Sequence, residues 1–279
     1  MGTPVALDNA VGLCPGDHAS WAYEDLDGLR AACADYLGDG LLRGERLVYV
    51  GDRQHGHLVD DLAGLGNRDA VLDSGQLEVH TVDELYRGNG QFRAHVQVEA
   101  FRRSAEQAVD GGYTGLRILG DITELIVDES LTQQLIEYEV AVDAMFASRP
   151  ALALCAFDRE RVGPKWRLVT ALHRLQHLER HQPAFAVTVS AGVVHLVGEV
   201  DTSSAGDLAR LLDAIGDSTQ GELTLDLKEL EFIDIAATRV LALLQRRLGA
   251  RGRHLHFAGV GPSAVNTLRA FALNGDMAP

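Results

Sequence analysis

The 279-residue sequence has few cysteines, and their spacing excludes the common cysteine motifs. The three residues, Cys14, Cys33 and Cys155, are odd in number, far apart in the chain and never arranged as CxxC. A disulfide framework or a zinc site is therefore not expected, and a reducing cytoplasm fits this pattern. We predict a cytoplasmic protein without a bound metal or cofactor.

Positive charge is also scarce, and long apolar runs are missing. Lys and Arg number 25 against 40 Asp and Glu, which gives a net charge of −15 at pH 7. A generic phosphate-backbone binder needs a basic patch, so nucleic acid is not an expected partner. No run approaches the roughly 18 apolar residues of a membrane span, and the N-terminus lacks the basic and apolar regions of a signal peptide. We expect no membrane association.

The length favours two domains, because single hydrophobic cores rarely grow beyond about 250 residues. In the first part of the chain, short apolar runs typical of buried parallel strands occupy residues 47–50, 77–80, 116–120 and 151–157. Between them lie segments with helical spacing of apolar residues, at 56–65, 92–109 and 131–146, and residues 17–40 are predicted as a loop followed by a helix. Alternating strands and helices predict a parallel sheet covered on both faces.

A further helix is predicted from 166 to 181, ending before Pro183, because proline disfavours helix at the preceding residue. After it, two apolar runs flank a Ser190-Ala191-Gly192 turn, which is typical of a hairpin. The remainder alternates helix and strand, so the C-terminal order is β-β-α-β-α-β-α.

Within that part, residues 226–239 carry the sequence DLKELEFIDIAATR, in which Asp234 occupies a helix N-cap position. The segment resembles the signature of STAS domains, the fold of anti-sigma-factor antagonists, which is roughly D-L-x-x-L-x-F-I-D-S-S-G. A second motif, Gly198-Glu199-Val200-Asp201, resembles the G-E-L-D that ends the second STAS strand. The resemblance covers residues 185–271 and implies a four-stranded mixed sheet with helices.

The resemblance also implies a protein-binding surface at the start of the helix after the signature Asp. Here that surface comprises Asp234, Ile235, Ala236, Ala237, Thr238 and Arg239, with Asp201, Thr202 and Ser203 beside it. In the family, the first Ser after the Asp is the phosphorylation switch, but this position is Ile235, which has no hydroxyl. The chain would then behave as a permanently unphosphorylated form. In the opposing interpretation, the bulky Ile also abolishes docking.

The N-terminal part carries a second set of ordered motifs: Gly16-Asp17-His18-Ala19, Tyr23-Glu24-Asp25, residues 40–50, residues 112–117 and Leu154-Cys155-Ala156-Phe157-Asp158. They resemble the MEDS domain, a sensory domain named from methanogen and methylotroph regulators, over residues 16–173. The resemblance implies a RecA-like α/β fold that senses an unknown small ligand. The family ends in a His-Pro pair, whereas His173 is followed by Arg174.

Eight polar residues are candidates for ligand sensing. Residues 51–57 follow the first apolar strand, where a phosphate-binding P-loop would lie, but they lack its Lys and hydroxyl. Ligands bind at the carboxyl ends of strands in α/β sheets, which makes Asp52 and His55 candidates. The others match the family's polar positions: His18, Tyr23, Glu45, Tyr138, Glu139 and Asp158. The alternative for each is a structural role, such as a paired Glu or a half-buried Tyr.

His173, His177 and His181 fall at i, i+4 and i+8 on the predicted helix, and two such His can hold a metal. Because no third-ligand motif accompanies them, we expect a solvated face. No motif points to nucleophilic catalysis, so we predict no catalytic residues and no enzyme activity.

Together these patterns predict an N-terminal tail at 1–15, a RecA-like three-layer parallel-sheet MEDS domain at 16–181 and a STAS domain at 182–279. The predicted function is a signalling regulator that binds an anti-sigma factor or a related kinase-fold partner and is tuned by the sensory domain. The alternative is a ligand-sensing scaffold that assembles with other STAS proteins without binding an anti-sigma factor.

Overall fold

The computed structural model describes residues 4–88, 90–179 and 181–273, so the outermost residues of the predicted tail and STAS domain lie outside the described part. The chain divides into two compact units. The N-terminal unit comprises Ala6–Trp166 and Leu175–His181, and the C-terminal unit comprises Met1–Val5, Arg167–Arg174 and Gln182–Pro279. Among the described residues, no helix has the length and apolar character needed to cross a bilayer.

The larger sheet has seven strands in the order β1-β7-β2-β6-β5-β3-β4. The strands are β1 (Val5–Ala6), β2 (His18–Tyr23), β3 (Arg46–Gly51), β4 (Leu77–Thr81), β5 (Leu116–Asp121), β6 (Ala151–Asp158) and β7 (Leu175–Leu178). β2 to β7 pair in parallel throughout. Their continuous apolar runs suit this arrangement, because strands of a parallel sheet are covered on both faces.

Helices connect these strands in two directions across the sheet. They are α1 (Leu26–Arg43), α2 (His55–Asp61), α3 (Arg68–Asp73), α4 (Ala94–Asp110), α5 (Thr123–Val127), α6 (Thr132–Phe146) and α7 (Arg159–Val162). The next helix, α8 (Trp166–Thr170), belongs to the C-terminal unit from Arg167 onward. The chain moves from β2 towards β4 through α1 to α3, and back through α4 and α6. Since parallel crossovers are right-handed, the two groups cover opposite faces. The predicted three-layer parallel-sheet fold is confirmed.

The C-terminal unit contains a mixed sheet of five strands, one more than the four predicted. The strands are β8 (Phe185–Ser190), β9 (Val193–Val200), β10 (Leu223–Asp226), β11 (Leu230–Ile233) and β12 (Leu255–Ala258). β8 and β9 form the predicted hairpin, and Ala191 and Gly192 in its turn have φ values of 49° and 79°. Positive φ at both positions matches a type I′ turn. The additional strand, β11, pairs in parallel with the end of β9.

Three helices accompany this sheet: α9 (Ala205–Ser218), α10 (Ile235–Ala250) and α11 (Pro262–Ala270). α9 buries Leu208, Leu211, Leu212 and Ile215, whose i, i+3, i+4, i+7 spacing forms one apolar stripe. The helix–strand order predicted after the hairpin is confirmed, apart from β11.

Two local predictions in the N-terminal part are wrong. Residues 18–23 form a fully buried strand, not a loop. The prediction failed because small and polar residues alternate there with the aromatic ones, so the segment has no continuous apolar run. The segment predicted as one helix from 166 to 181 contains α8 followed by β7. His177 lies on β7 and stacks on Trp21 with ring centroids 3.6 Å apart, so the predicted helical face of three histidines does not exist.

Candidate functional site

In the C-terminal unit, Asp234 is the N-cap of α10 and ties the helix start to a neighbouring turn. Its Oδ1 accepts a hydrogen bond from the Ala237 N–H at 2.8 Å, and its Oδ2 accepts one from the Thr202 hydroxyl at 2.7 Å. The Ala237 and Thr202 hydrogen bonds hold the pKa of Asp234 below its ordinary value. A carboxylate here also complements the positive end of the helix dipole.

The turn after β9 is organised by a second carboxylate. Asp201 Oδ1 accepts hydrogen bonds from the Ser203 hydroxyl at 2.7 Å and the Ser203 N–H at 2.9 Å, and these lower the pKa of Asp201. Because Thr202 bonds to Asp234, the turn and the start of α10 share one hydrogen-bonded network. The structure therefore brings Asp201, Thr202 and Ser203 beside Asp234.

The side chains at the start of α10 divide sharply by exposure. Ile235 is 69% exposed and Arg239 is exposed, whereas Ala236 is half-buried and Ala237 is buried. Thr238 is fully buried, and its hydroxyl donates to the Asp234 carbonyl at 2.8 Å. Only part of the surface expected from the sequence is accessible to a partner.

Sequence reasoning missed one member of this surface. Phe232, on β11 just before Asp234, is 47% exposed. Phe232 and Ile235 are thus two exposed apolar side chains that flank Asp234 in the sequence, and exposed apolar areas often mark interaction sites. We call Phe232, Asp234, Ile235 and Arg239 the α10 surface. Its exposure follows from its place on β11, an edge strand that the sequence did not predict.

In the N-terminal unit, polar side chains gather where β2, β5 and β6 end. The Tyr23 hydroxyl donates to Asp121 Oδ2 at 3.0 Å, and the Thr123 hydroxyl donates to Asp121 Oδ1 at 2.6 Å. Tyr23 and Asp158 are register partners at the ends of β2 and β6. The connections leaving these two strands run in opposite directions, which makes this the switch point where open α/β sheets bind ligands.

Burial shapes the protonation of this cluster. Asp121 is buried, and burial together with the neighbouring Asp52 charge raises its pKa from 3.8 to about 6, against the hydrogen bonds from Thr123 and Tyr23. Burial and the Asp121 charge also raise the pKa of Tyr23 above its ordinary value. Asp158 instead caps α7, where Oδ1 accepts from the Glu160 and Arg161 N–H groups, each at 3.0 Å. Asp121 directly follows a predicted strand, which is the signal that could have identified it.

A polar cleft of about 370 Å³ lies at the same edge of the sheet. Its lining includes Asp52 after β3, Thr81 at the end of β4 and Glu124 on α5, with Arg53 and Arg87 as cations. Asp52 also pairs with Arg161 at 2.8 Å. His55 begins α2 and is exposed, but it is absent from the residues that line this cleft.

Glu45 lies inside the unit, away from the carboxyl ends of the strands. Its carboxylate accepts a hydrogen bond from Arg117 Nε at 2.5 Å. Arg117 is fully buried, lies over the Tyr36 ring at 4.5 Å and donates to the Tyr36 carbonyl at 3.1 Å. A buried guanidinium needs such a partner, so the structure gives Glu45 a role in charge pairing.

The remaining candidates lie between the sheet and α6. The Tyr138 hydroxyl is 3.4 Å from that of Tyr86, within a group of packed aromatic rings. His18 Nε2 is 3.3 Å from both Glu139 Oε2 and Cys155 Sγ. Burial alone would lower the pKa of His18, but negative charge on Cys155 and hydrogen bonds to Asp143, Cys155 and Glu139 raise it well above its ordinary value. The structure brings His18 and Glu139 together and adds Cys155.

Comparison with known families gives a match for each part of the chain. The family model described as MEthanogen/methylotroph, DcmR Sensory domain (MEDS) matches residues 17–174. The family model described as Mlab, STAS domain matches residues 184–279. No curated protein matches the chain.

Proposed function

Because the chain belongs to the MEDS family of sensory-domain proteins, we propose that it is a cytoplasmic regulator whose STAS domain binds an anti-sigma factor or a related kinase-fold protein. A sensory domain followed by a STAS domain indicates a role in signalling, and STAS domains generally mediate protein–protein interaction. In the proposal, the N-terminal domain tunes this binding in response to a small ligand.

One observation carries the proposal. An exposed Ile235 lies where the resemblance places the phosphoacceptor Ser, directly after Asp234, the N-cap of α10. An exposed side chain is available to a partner, but it offers no hydroxyl for phosphoryl transfer. The nearest hydroxyl on α10 belongs to Thr238, which is buried and donates within the helix. A phosphate would add negative charge and bulk that repel a partner. This chain is proposed to stay in the binding form.

The ligand of the sensory domain is proposed to bind at the carboxyl ends of the strands, in the cleft lined by Asp52, Arg53 and Arg87. Tyr23 and Asp121 lie nearby at the ends of β2 and β5 and complete the polar edge. Mixed charges in this cleft favour a small polar ligand. The role is proposed to be binding, because the loop after β3 lacks the Lys and hydroxyl of a P-loop.

Affinity purification from the native host with mass spectrometry, followed by titration of the recovered partner, tests the proposal. Ile235→Glu should weaken binding by about 2 kcal/mol or more, roughly 30-fold, since it buries an unpaired charge in the interface. Ile235→Ser should retain binding. Because Ile235 is exposed, both variants should fold, which far-UV circular dichroism checks.

The matched control is Leu243→Glu, a second exposed apolar residue on α10, 46% exposed and about 12 Å further along the helix axis. It should leave the affinity unchanged. If wild type and Ile235→Glu bind the recovered partner with equal affinity, the α10 surface is not the interface. Recovery of STAS homologues alone would favour the scaffold alternative.

A further inference from the structure

Three donor atoms of different chemistry meet inside the N-terminal unit. They are His18 Nε2, Cys155 Sγ and a carboxylate oxygen of Glu139, three of four buried donor atoms that lie within 4.8 Å of one another. The Nε2–Sγ and Nε2–Oε2 separations are both 3.3 Å, and the Sγ–Oε2 separation is 4.0 Å. We call these residues the His–Cys–Glu cluster.

The fold explains why residues far apart in sequence converge here. β2 and β6 are adjacent parallel strands in which His18 pairs with Ala153 and Ser20 pairs with Cys155. Side chains two residues apart share a face of a strand, so His18 and Cys155 point to the same side of the sheet. α6 crosses that side and presents Glu139. His18 and Cys155 are 137 residues apart in the sequence, and Glu139 and Cys155 are 16 apart, so no short motif contains the cluster.

The separations fit one tetrahedral metal ion. Zinc with its usual bonds to N, S and O holds its donor atoms about 3.3–3.7 Å apart. The Nε2–Sγ and Nε2–Oε2 separations of 3.3 Å equal the lower bound of this range. The Sγ–Oε2 separation of 4.0 Å exceeds the upper bound by a few tenths of an ångström. Thiolate and imidazole donors favour zinc over Mg²⁺ and Ca²⁺, which prefer oxygen ligands.

A supporting carboxylate lies behind the histidine. Asp143 Oδ1 is 3.4 Å from His18 Nδ1, on the opposite side of the ring from Cys155 and Glu139. Glu139 and Asp143 are four residues apart on α6 and therefore share one helix face. Zinc-binding histidines commonly donate their other N–H to a carboxylate, which fixes the tautomer that points its lone pair at the metal.

We propose that His18, Cys155 and Glu139 bind a Zn²⁺ ion in the interior of the MEDS domain. The site fixes β2, β6 and α6 to one another beneath the polar edge of the sheet. It is separate from the α10 surface and does not depend on the proposed partner.

The test uses the full chain, freed of its affinity tag, stripped with a chelator under anaerobic conditions and titrated with Zn²⁺. About one zinc ion per chain should be retained after dialysis, measured by elemental mass spectrometry. Cys155→Ser and Glu139→Gln should lose stoichiometric zinc. Asp143→Asn should keep the site but weaken zinc affinity by about 10–100-fold. The control is Cys33→Ser, which alters an equally buried cysteine outside the cluster and should retain zinc.

A second measurement needs no variant that could misfold. Co²⁺ added to the stripped wild-type chain should give thiolate-to-cobalt charge-transfer absorption in the near ultraviolet, and Zn²⁺ should abolish it. A wild-type chain that retains no zinc, or that binds cobalt without this absorption, would overturn the proposal. Equal zinc loss in folded Cys33→Ser and Cys155→Ser would also overturn it.

Discussion

Asp121 shows how a single buried residue makes stability depend on pH. Its carboxyl accepts hydrogen bonds from Tyr23 and Thr123, but burial and the nearby Asp52 disfavour the ionised form. The pKa of Asp121 is raised from 3.8 to about 6 in the folded state. Between these two values the folded chain binds a proton that the unfolded chain has released, so its free energy of unfolding falls as the pH rises.

We therefore expect Asp121→Asn to remove a pH-dependent loss of stability. In wild type, this carboxyl should lower the free energy of unfolding by about 3 kcal/mol as the pH rises from about 3 to 8. The variant has no group that titrates there, so its stability should fall less over the same range. Urea unfolding of both proteins at several pH values measures the difference.

Asp69→Asn is the control for this experiment, because the Asp69 side chain is 80% exposed. Its pH profile should run parallel to that of wild type. A profile for Asp121→Asn that also runs parallel would show that Asp121 ionises normally in the folded chain.

At the scale of elements, the sequence predicts those whose pattern is strong and local. The strands around Leu47 and Leu152 are continuous apolar runs, and the helix at 132–146 has clear periodicity. β2 was missed because the small residues Ala19, Ser20 and Ala22 interrupt its apolar signal, although every residue of the strand is buried. The apolar spacing of residues 166–181 is compatible with the period of a helix and with that of a strand. Residues 175–178 form a strand because β7 pairs with β2 in the folded sheet.

The same distinction applies to the candidate sites. Asp234 was predictable as an N-cap because the signal is local: an Asp directly before an apolar helix. Its partner Thr202 and the exposed Phe232 depend on how β11 pairs with β9, which no local pattern specifies. The His–Cys–Glu cluster requires two strands and a helix to be placed together, so it could be found only from the fold.

The N-cap makes a stability prediction for α10. Asp234→Ala removes the acceptor for the Ala237 N–H and the Thr202 hydroxyl, and should lower the stability of the STAS domain by about 1 kcal/mol. Asp234→Asn keeps a capping oxygen and should lose much less. Urea unfolding followed by circular dichroism measures both changes. An Asp234→Ala midpoint equal to that of wild type would mean that the cap contributes nothing.

At the scale of the whole molecule, acidic groups outnumber basic ones and pair with cations near the sheet edge. The chain carries a net charge of −15, and the cations near the sheet edge are already bound to carboxylates. Arg53 pairs with Asp61, Arg87 with Asp83 and Arg161 with Asp52. A phosphate group would therefore meet little uncompensated positive charge. In phosphoryl transfer, catalysis comes almost entirely from positioning and from such charge.

We accordingly predict that the purified chain does not hydrolyse ATP. The loop after β3 lacks the P-loop Lys that would stabilise charge on the transferred phosphoryl group. Phosphate release should stay at the level of a blank carried through the same purification, with Mg²⁺ present. The decisive comparison is with Asp52→Ala, which alters the lining of the cleft. Turnover that copurifies with the wild type and disappears in Asp52→Ala would contradict the prediction, whereas weak nucleotide binding alone would not, because loops at strand ends bind anions without catalysis.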